Sequence, residues 1–470
     1  MSEPFDLDLD RVVQLAPRYA IDGPRYTSYP TAPVWKEDYG VAEYRADLAA
    51  AGAAASAAGL SLYVHVPFCE SLCHFCACNK MITRDHGRAG PYLEAIEREV
   101  AAVRKAVGTP RPATQLHWGG GTPTWLAPDE VRRLFRALAD AFPLAPGAEV
   151  SIEVDPRVTT DAHLEALAEC GFNRISMGVQ DFDPRVQEAV HRIQPAADTE
   201  RLVLRARALG FDSVNFDLIY GLPYQSVASF ERTLDRLFAI GPDRIALYSY
   251  AHVTWLAKQQ RGFERKDLPD AATKLEILIT AIRRFLEKGY RFIGLDHFAR
   301  PDDELATAVS DRTLRRNFMG HTTQAGVDLI GFGPSAISEL RASYAQSQRQ
   351  VPAWQEAVAA GGLATLRGHR LSDDDLERRW VIGRILCHGV VRADEFDAEF
   401  GAEPGFARRY AGELRSLEGA REDGLVEIEA DGSLGITPVG RLLVRNVAMA
   451  FDAYLPGQRR EGERMFSKTV

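Results

Sequence analysis

From Ser61 onward, short runs of alternating apolar and polar residues are followed by longer runs with apolar residues three or four positions apart, and this repeats. Alternation sends side chains to opposite faces of a strand, whereas the longer period gathers them on one face of a helix. Strands are predicted at Leu62–Val66, Gln115–Trp118, Glu149–Val154, Arg174–Gly178, Ser213–Leu218 and Arg244–Tyr248. Helices are predicted between them at Tyr92–Val107, Asp129–Phe142, Asp161–Cys170, Glu200–Leu209 and Phe230–Ile240. Repeated strand–helix units imply a parallel sheet joined by right-handed crossovers.

The strand faces choose between a doubly wound sheet and a barrel. Leu62, Val64 and Val66 alternate with Tyr63 and His65, and Val150, Ile152 and Val154 alternate with Ser151, Glu153 and Asp155. Met177 lies between Ser176 and Gly178, and Val214, Phe216 and Leu218 alternate with Asn215 and Asp217. A parallel sheet covered by helices on both faces reads as almost unbroken apolar runs. One polar face points instead to an open barrel with helices outside and a wet interior.

Outside this block the patterns change. The first fifty residues lack sustained periodicity and carry Gly23-Pro-Arg-Tyr-Thr-Ser-Tyr-Pro30, then an Ala-rich stretch at 49–58 that reads as a helical linker. A helix at Ala271–Lys288 and a strand at Arg291–Leu295 precede a polar, Arg-rich region reaching Asn317 and a Gly-rich stretch at Gly331–Ile337. Helices are predicted at Asp373–His388, Glu413–Gly424 and Val439–Phe451, with a hairpin made by Leu425–Glu429 and Leu434–Thr437. The expected fold is α/β. Its parts are an N-terminal extension (1–55), a partial, open β/α barrel of about six units (56–300), a connecting region that completes the site (301–365) and a smaller, mainly helical, winged-helix-like domain (366–470).

Composition narrows the function. With 56 Lys and Arg against 65 Asp and Glu, the net charge of −9 disfavours a broad nucleic-acid surface. The winged-like part offers no basic recognition helix, so a DNA-binding regulator stands only as an alternative. Met1–Asp10 is acidic, without the basic start and apolar stretch of a signal peptide, and no apolar run is long enough to span a bilayer. A soluble cytoplasmic protein, working as a monomer without a membrane span, is expected.

Of six cysteines, Cys69, Cys73, Cys76 and Cys78 fall within ten residues, directly after the first predicted strand. A disulfide framework spreads its cysteines along a small secreted chain, and a structural zinc site usually spaces two ligand pairs further apart. Four crowded thiols point to a metal centre. Three thiolates can hold three irons of a 4Fe–4S cluster and leave the fourth iron open to a ligand. Cys78 could instead supply a fourth thiolate and close it.

Cys69, Cys73 and Cys76 match the C-x3-C-x2-C signature of the radical S-adenosylmethionine (SAM) superfamily, and Tyr63-Val-His-Val-Pro-Phe-Cys69 with Cys73-His-Phe-Cys-Ala-Cys-Asn79 resembles the oxygen-independent coproporphyrinogen III oxidases of haem biosynthesis. The likeness extends to Arg25-Tyr-Thr-Ser-Tyr-Pro30, His117-Trp-Gly-Gly-Gly-Thr-Pro123, Ser151-Ile-Glu-Val-Asp-Pro156, Ser176-Met-Gly-Val-Gln-Asp-Phe182, Asp217-Leu-Ile-Tyr-Gly-Leu-Pro223 and Asp296-His-Phe-Ala-Arg-Pro301. The resemblance implies that Cys69, Cys73 and Cys76 hold the cluster and that its open iron chelates SAM. Reduction by an electron donor then cleaves SAM to methionine and a 5′-deoxyadenosyl radical. The radical takes a hydrogen from a propionate β-carbon, and loss of carbon dioxide and one electron leaves a vinyl group. Two propionates react, consuming two SAM molecules and yielding protoporphyrinogen IX.

The same resemblance assigns the remaining loops. Gly120, Gly121 and Thr122 would bind SAM, Glu153 would lie beside it, and Tyr63 and Ile337 would contact it. Phe75, Gln180, Arg192, Asp217 and Ala251 would also bind SAM, at a second position. Read without the resemblance, Glu153 is a structural partner and Arg192 a solvated helix charge. The Tyr/Pro segment would help shield the site, and Arg300, Arg315 and Arg316 would receive propionates, since carboxylates favour guanidinium partners. A haem-binding chaperone relative is the nearest rival; Cys78 and the Arg25–Pro30 segment favour the enzyme.

Overall fold

All six predicted strands are present, and their apolar faces are sealed: Leu62, Val64, Trp118, Ile152, Met177, Phe216 and Leu247 are each buried. The computed structural model describes residues 6–53, 59–109, 111–254, 258–458, 466, 468 and 469. Residues 54–58 of the Ala-rich stretch and 1–5 of the acidic N-terminus therefore lie outside the described residues. Contacts divide the chain into two units, one made of Trp35–Asp270 with Gly326–Arg370, the other of Met1–Val34, Ala271–Ala325 and Leu371–Val470. The units interleave along the chain, whereas four consecutive parts are expected from the sequence. Local patterning shows where elements begin but not which distant segments share a core.

Among the described residues, ten strands of the first unit join in one sheet. They are β1 (Leu60–Val66), β2 (Ala113–Gly120), β3 (Leu144–Val154), β4 (Arg174–Gln180), β5 (Ser213–Tyr220), β6 (Arg244–Ser249), β7 (Asp328–Phe332), β8 (Ile337–Leu340), β9 (Ser343–Ser347) and β10 (Thr365–Arg370). Their order is β10-β9-β8-β7-β1-β2-β3-β4-β5-β6. Strands β7 and β1–β6 run parallel, while β8–β10 continue from β7 as an antiparallel meander. This is the partial β/α barrel expected, extended by four strands between Asp328 and Arg370, the first two of which flank the Gly-rich stretch. Glycines at 331 and 333 hide the strand pattern of β7. Both are required by close approach: a Cβ on Gly331 would lie 2.5 Å from the Ile337 carbonyl oxygen, and one on Gly333 would lie 2.6 Å from that of His65.

Helices begin and end where side-chain caps allow. Thr160 and His163 cap each other's backbone at the start of Asp161–Glu169, and Ser226 and Ser229 do so for Val227–Ile240. Behind β7, helix Ala89–Val107 offers the buried Glu99, which accepts the Gly333 amide at 2.7 Å and the Trp354 indole N–H at 3.3 Å.

In the second unit, the N-terminal helix Leu9–Tyr19 buries Val12, Leu15 and Ala16, although the first fifty residues lack sustained periodicity. The Tyr/Pro segment belongs to the same core. Tyr26 hydroxyl donates to Asp452 at 3.0 Å, the Ala453 amide donates to Tyr29 at 3.1 Å, and Arg445 donates to the Pro24 carbonyl at 2.9 Å. Helix Asp373–His388 is found as predicted, and the hairpin of Val426–Ile428 and Leu434–Ile436 gains Val390–Val391 as a third strand. Two expectations need correction. Glu413–Gly424 breaks at Leu417 into Ala411–Ser416 and Glu418–Glu422, and the α-helix expected at Val439–Phe451 is confined to Val444–Ala448. Pro438 and Gly440 start the latter stretch, and Gly440 packs so closely that a Cβ there would lie 2.0 Å from the Leu425 carbonyl oxygen.

Burial raises the Glu99 pKa to about 7, against the two donors that lower it. A folded pKa above the ordinary 4.5 means that its stabilising contribution is whole below that value and is lost as pH rises through 7. Glu99→Gln should therefore flatten a fall in stability on the order of 3 kcal/mol between about pH 4.5 and 8. Denaturant midpoints across that range check it; superimposable wild-type and variant profiles would contradict it.

Candidate active site

The cysteine loop leaves β1 through Pro67, and its entry is pinned by a short parallel pairing of Phe68–Cys69 with Met81–Ile82. The Met81 amide donates to Pro67 at 2.7 Å and the Thr83 amide to Cys69 at 2.9 Å, while the Cys76 amide closes a turn onto Cys73 at 3.2 Å. None of the four thiols is in a disulfide; Cys73 is buried and Cys78 exposed. Burial pushes the Cys69 thiol up to about 11, whereas a hydrogen bond with Cys78 draws Cys76 down. Among the described residues no three His, Cys, Asp or Glu side chains converge on a single ion. A 4Fe–4S cluster does not require such convergence, because each iron takes its own thiolate.

The Gly-rich loop after β2 is laced to the cysteine loop. The Gly121 amide donates to Val66 and the Thr122 amide to Phe68, both at 2.8 Å, and the Thr122 hydroxyl lies 3.4 Å from Cys69 Sγ. Gly120 has φ +115°, and a Cβ there would meet the His65 ring at 2.7 Å; a Cβ on Gly121 would press on the Pro67 and Phe68 backbone at the same distance. Gly121 follows β2 because two loops run against each other there, while Gly119 and Gly120 end the strand against the Glu153 and His65 side chains.

Inside the barrel, neighbouring strands hold their polar residues in register. Tyr63 pairs with His117 and His117 with Ser151, and the Tyr63 and His117 rings stack 6.0 Å apart. His117 Nδ1 is 2.7 Å from Ser151 Oγ, and its Nε2 is 3.6 Å from Glu153. The Gly120 amide donates to Glu153 at 3.1 Å. Enclosure works to raise the Glu153 carboxyl, but His117 and this amide bring it below the usual range. Asp217 behaves oppositely: burial, then the Glu153 charge, push it up to about 7, although Asn215 and Ser176 donate to it at 2.9 and 3.2 Å.

The other expected site residues gather around these. Ile337 begins β8, against Gly331, and Gly331 pairs with Tyr63. Phe75 packs on Val186, Val190, Leu222, Tyr250 and Phe263. The amide of the buried Gln260 donates to the carbonyls of both Phe75 and Ala251, at 3.2 and 3.0 Å, so these two are neighbours. Gln180, in the left-handed region at φ +65°, ends β4 next to Gly178, and Arg192 donates to the Gly178 carbonyl at 2.7 Å.

Sequence reasoning gave no site role to His65, His117, Asp155, Arg157 or Gln260. His65 and His117 share the polar strand faces with Tyr63 and Ser151, so alternation could have found them. Gln260 lies far from its partners in sequence and gives no local signal. Arg157 and Arg192 donate to Cys73 Sγ at 3.4 and 3.5 Å, and Arg192 Nε is buried without a protein partner. Cationic donors on a buried thiol suit a thiolate ligand, so the residues present fit an iron–sulfur cluster.

Comparison with known proteins agrees. Residues 63–237 match the Radical SAM superfamily. Oxygen-independent coproporphyrinogen III oxidases are similar over almost the whole length: that of Synechocystis sp. is 42% identical over 97% of each chain, that of Pseudomonas aeruginosa 43% over 99% of each, and that of Escherichia coli 43% over 98% of this chain and 99% of the relative. The solved coproporphyrinogen III oxidase of Escherichia coli, a radical SAM enzyme, superposes with a TM-score of 0.88 at 41% identity, covering 96% of this chain and all of that one. The fold is that of a radical SAM protein. Within that class, the chain belongs to the family of oxygen-independent coproporphyrinogen III oxidases.

The packing at Gly121 predicts that Gly121→Ala forces the two loops apart, at a cost of about 1–3 kcal/mol. The apparent melting temperature should fall by about 2–4 °C per kcal/mol. Gly361→Ala, where a Cβ would touch nothing within 4 Å, is the control and should not lower it. Equal melting of the two variants would refute the steric reading.

Proposed function

We propose that this chain converts coproporphyrinogen III to protoporphyrinogen IX without oxygen, by oxidative decarboxylation of two propionate side chains to vinyl groups. The observation that carries this reading is a loop of free thiols beside a polar barrel face in a chain that matches such oxidases from end to end. Each propionate gives up a β-hydrogen, carbon dioxide and one electron. A 4Fe–4S cluster with SAM, when bound, supplies the hydrogen-atom abstraction.

The chain's residues bind and orient. Cys69, Cys73 and Cys76 are the cluster ligands, and Cys78 is not one. Tyr63, Gly120, Gly121, Thr122, Glu153 and Ile337 receive the SAM at the cluster. Glu153, ionised, accepts hydrogen bonds from an amine or ribose hydroxyls. Phe75, Gln180, Arg192, Asp217 and Ala251 receive a second SAM, matching two SAM molecules per turnover. The apolar wall behind Phe75 keeps water from the reacting groups. Arg300, Arg315 and Arg316 serve substrate carboxylates. The protein works as a cytoplasmic monomer with a separate electron donor, and no helix among the described residues is long and apolar enough to cross a membrane.

Anaerobic incubation of reconstituted protein with coproporphyrinogen III, SAM and a reductant should yield the divinyl product and 5′-deoxyadenosine; a cluster-loaded protein that forms neither removes the assignment. Serine at Cys69, Cys73 or Cys76 should abolish assembly of about four irons per chain, while Cys78→Ser should retain them. Iron and sulfide analysis decides. Loss of iron from Cys78→Ser with retention in Cys76→Ser would overturn the ligand set.

A further inference from the structure

Asp155 ends up outside every role above, yet it is the most heavily hydrogen-bonded carboxylate near the cysteines. It follows β3, whose polar face carries Glu153, and its side chain is only 9% exposed. The backbone amide and Nε of Arg157 both donate to Oδ1 at 3.0 Å, and Arg157 Nη2 donates to Oδ2 at 2.6 Å. Arg192 Nη1 donates to the same Oδ2 at 3.0 Å. One carboxylate thus clamps two guanidinium groups, and in each the nitrogen bonded to Oδ2 also reaches Cys73 Sγ, Arg157 Nη2 at 3.4 Å and Arg192 Nη1 at 3.5 Å.

Asp155 cancels one of the two positive charges, so a net positive charge is held rigidly against a single sulfur. Hydrogen bonds and positive charge at a cluster thiolate stabilise the state carrying the extra electron and raise the reduction potential. Arg157 belongs to no binding role proposed above. Its position two residues after Asp155 makes its clamp a local turn, independent of the longer reach of Arg192.

We propose that Arg157, clamped by Asp155, is a positioning residue that donates to the Cys73 thiolate and raises the potential at which the cluster takes up one electron. The proposal rests on the reading of Cys73 as a cluster ligand. Uptake of the electron converts the 2+ cluster to the 1+ cluster, and a one-electron reductant of low potential supplies it.

The test is a redox titration of the reconstituted full-length protein with dithionite, followed by electron paramagnetic resonance of the reduced cluster. Arg157→Ala should keep about four irons per chain while the ratio of reduced to oxidised cluster at a fixed potential falls about tenfold, a midpoint about 59 mV more negative. Arg157→Lys, which keeps the charge but loses the fork, should fall between. A fully loaded alanine variant with an unmoved midpoint overturns the proposal. If the alanine variant loses iron, the lysine variant decides: a shifted midpoint supports the proposal, and an unmoved one, or loss of iron there too, overturns it in favour of a purely structural role. A wild-type chain that assembles no cluster overturns the ligand reading and the proposal together.

Discussion

Every strand of the parallel sheet has to hide one face and can leave the other wet. Burial of Val64, Trp118, Ile152, Met177 and Phe216 supplies the hydrophobic term that holds the barrel together. Their neighbours Tyr63, His117, Glu153, Ser176 and Asp217 are then carried to the opposite face without choice, because the side-chain period of a strand is two. In-register pairing from β1 to β5 turns these positions into a continuous polar surface, in which His117 touches Ser151 and Asp217 accepts from Ser176. A slip of one residue in any strand would bury that row and expose the apolar one. The site is the reverse side of the core.

Against this surface the chain sets two carboxyl groups in contrasting states. Glu153, with a histidine and a backbone amide beside it, favours its charge; Asp217, enclosed and under the Glu153 charge, resists it. Ionisation of one works against ionisation of the other, so the pair supplies an acceptor and a group able to hold a proton within one polar field. A cationic sulfonium and a polyanionic tetrapyrrole make different demands on such a field.

The cysteine loop depends on neighbours that arrive from far along the chain. The Gly-rich loop holds its first part, Val190 accepts the His74 amide at 2.9 Å, and Gln260 ties the Phe75 carbonyl to the segment after β6. A short loop with few internal hydrogen bonds gains its shape from such ties.

Strand alternation, helical period and crowded thiols were determined by the residues alone. They set the six strand–helix units, the polar interior and the Cys69–Cys76 motif, because each rests on spacing within about ten residues. Tertiary structure decided what depends on distant partners. It made a strand of Asp328–Phe332, at the start of the Gly-rich stretch, by docking it beside β1, and it drew the Tyr/Pro segment into a core with residues 445–453. It also turned Arg192, a plain helix charge by sequence, into a donor to Cys73 alongside Arg157. Such contacts are settled by the free energy of the whole packed unit, to which residues hundreds of positions apart contribute together.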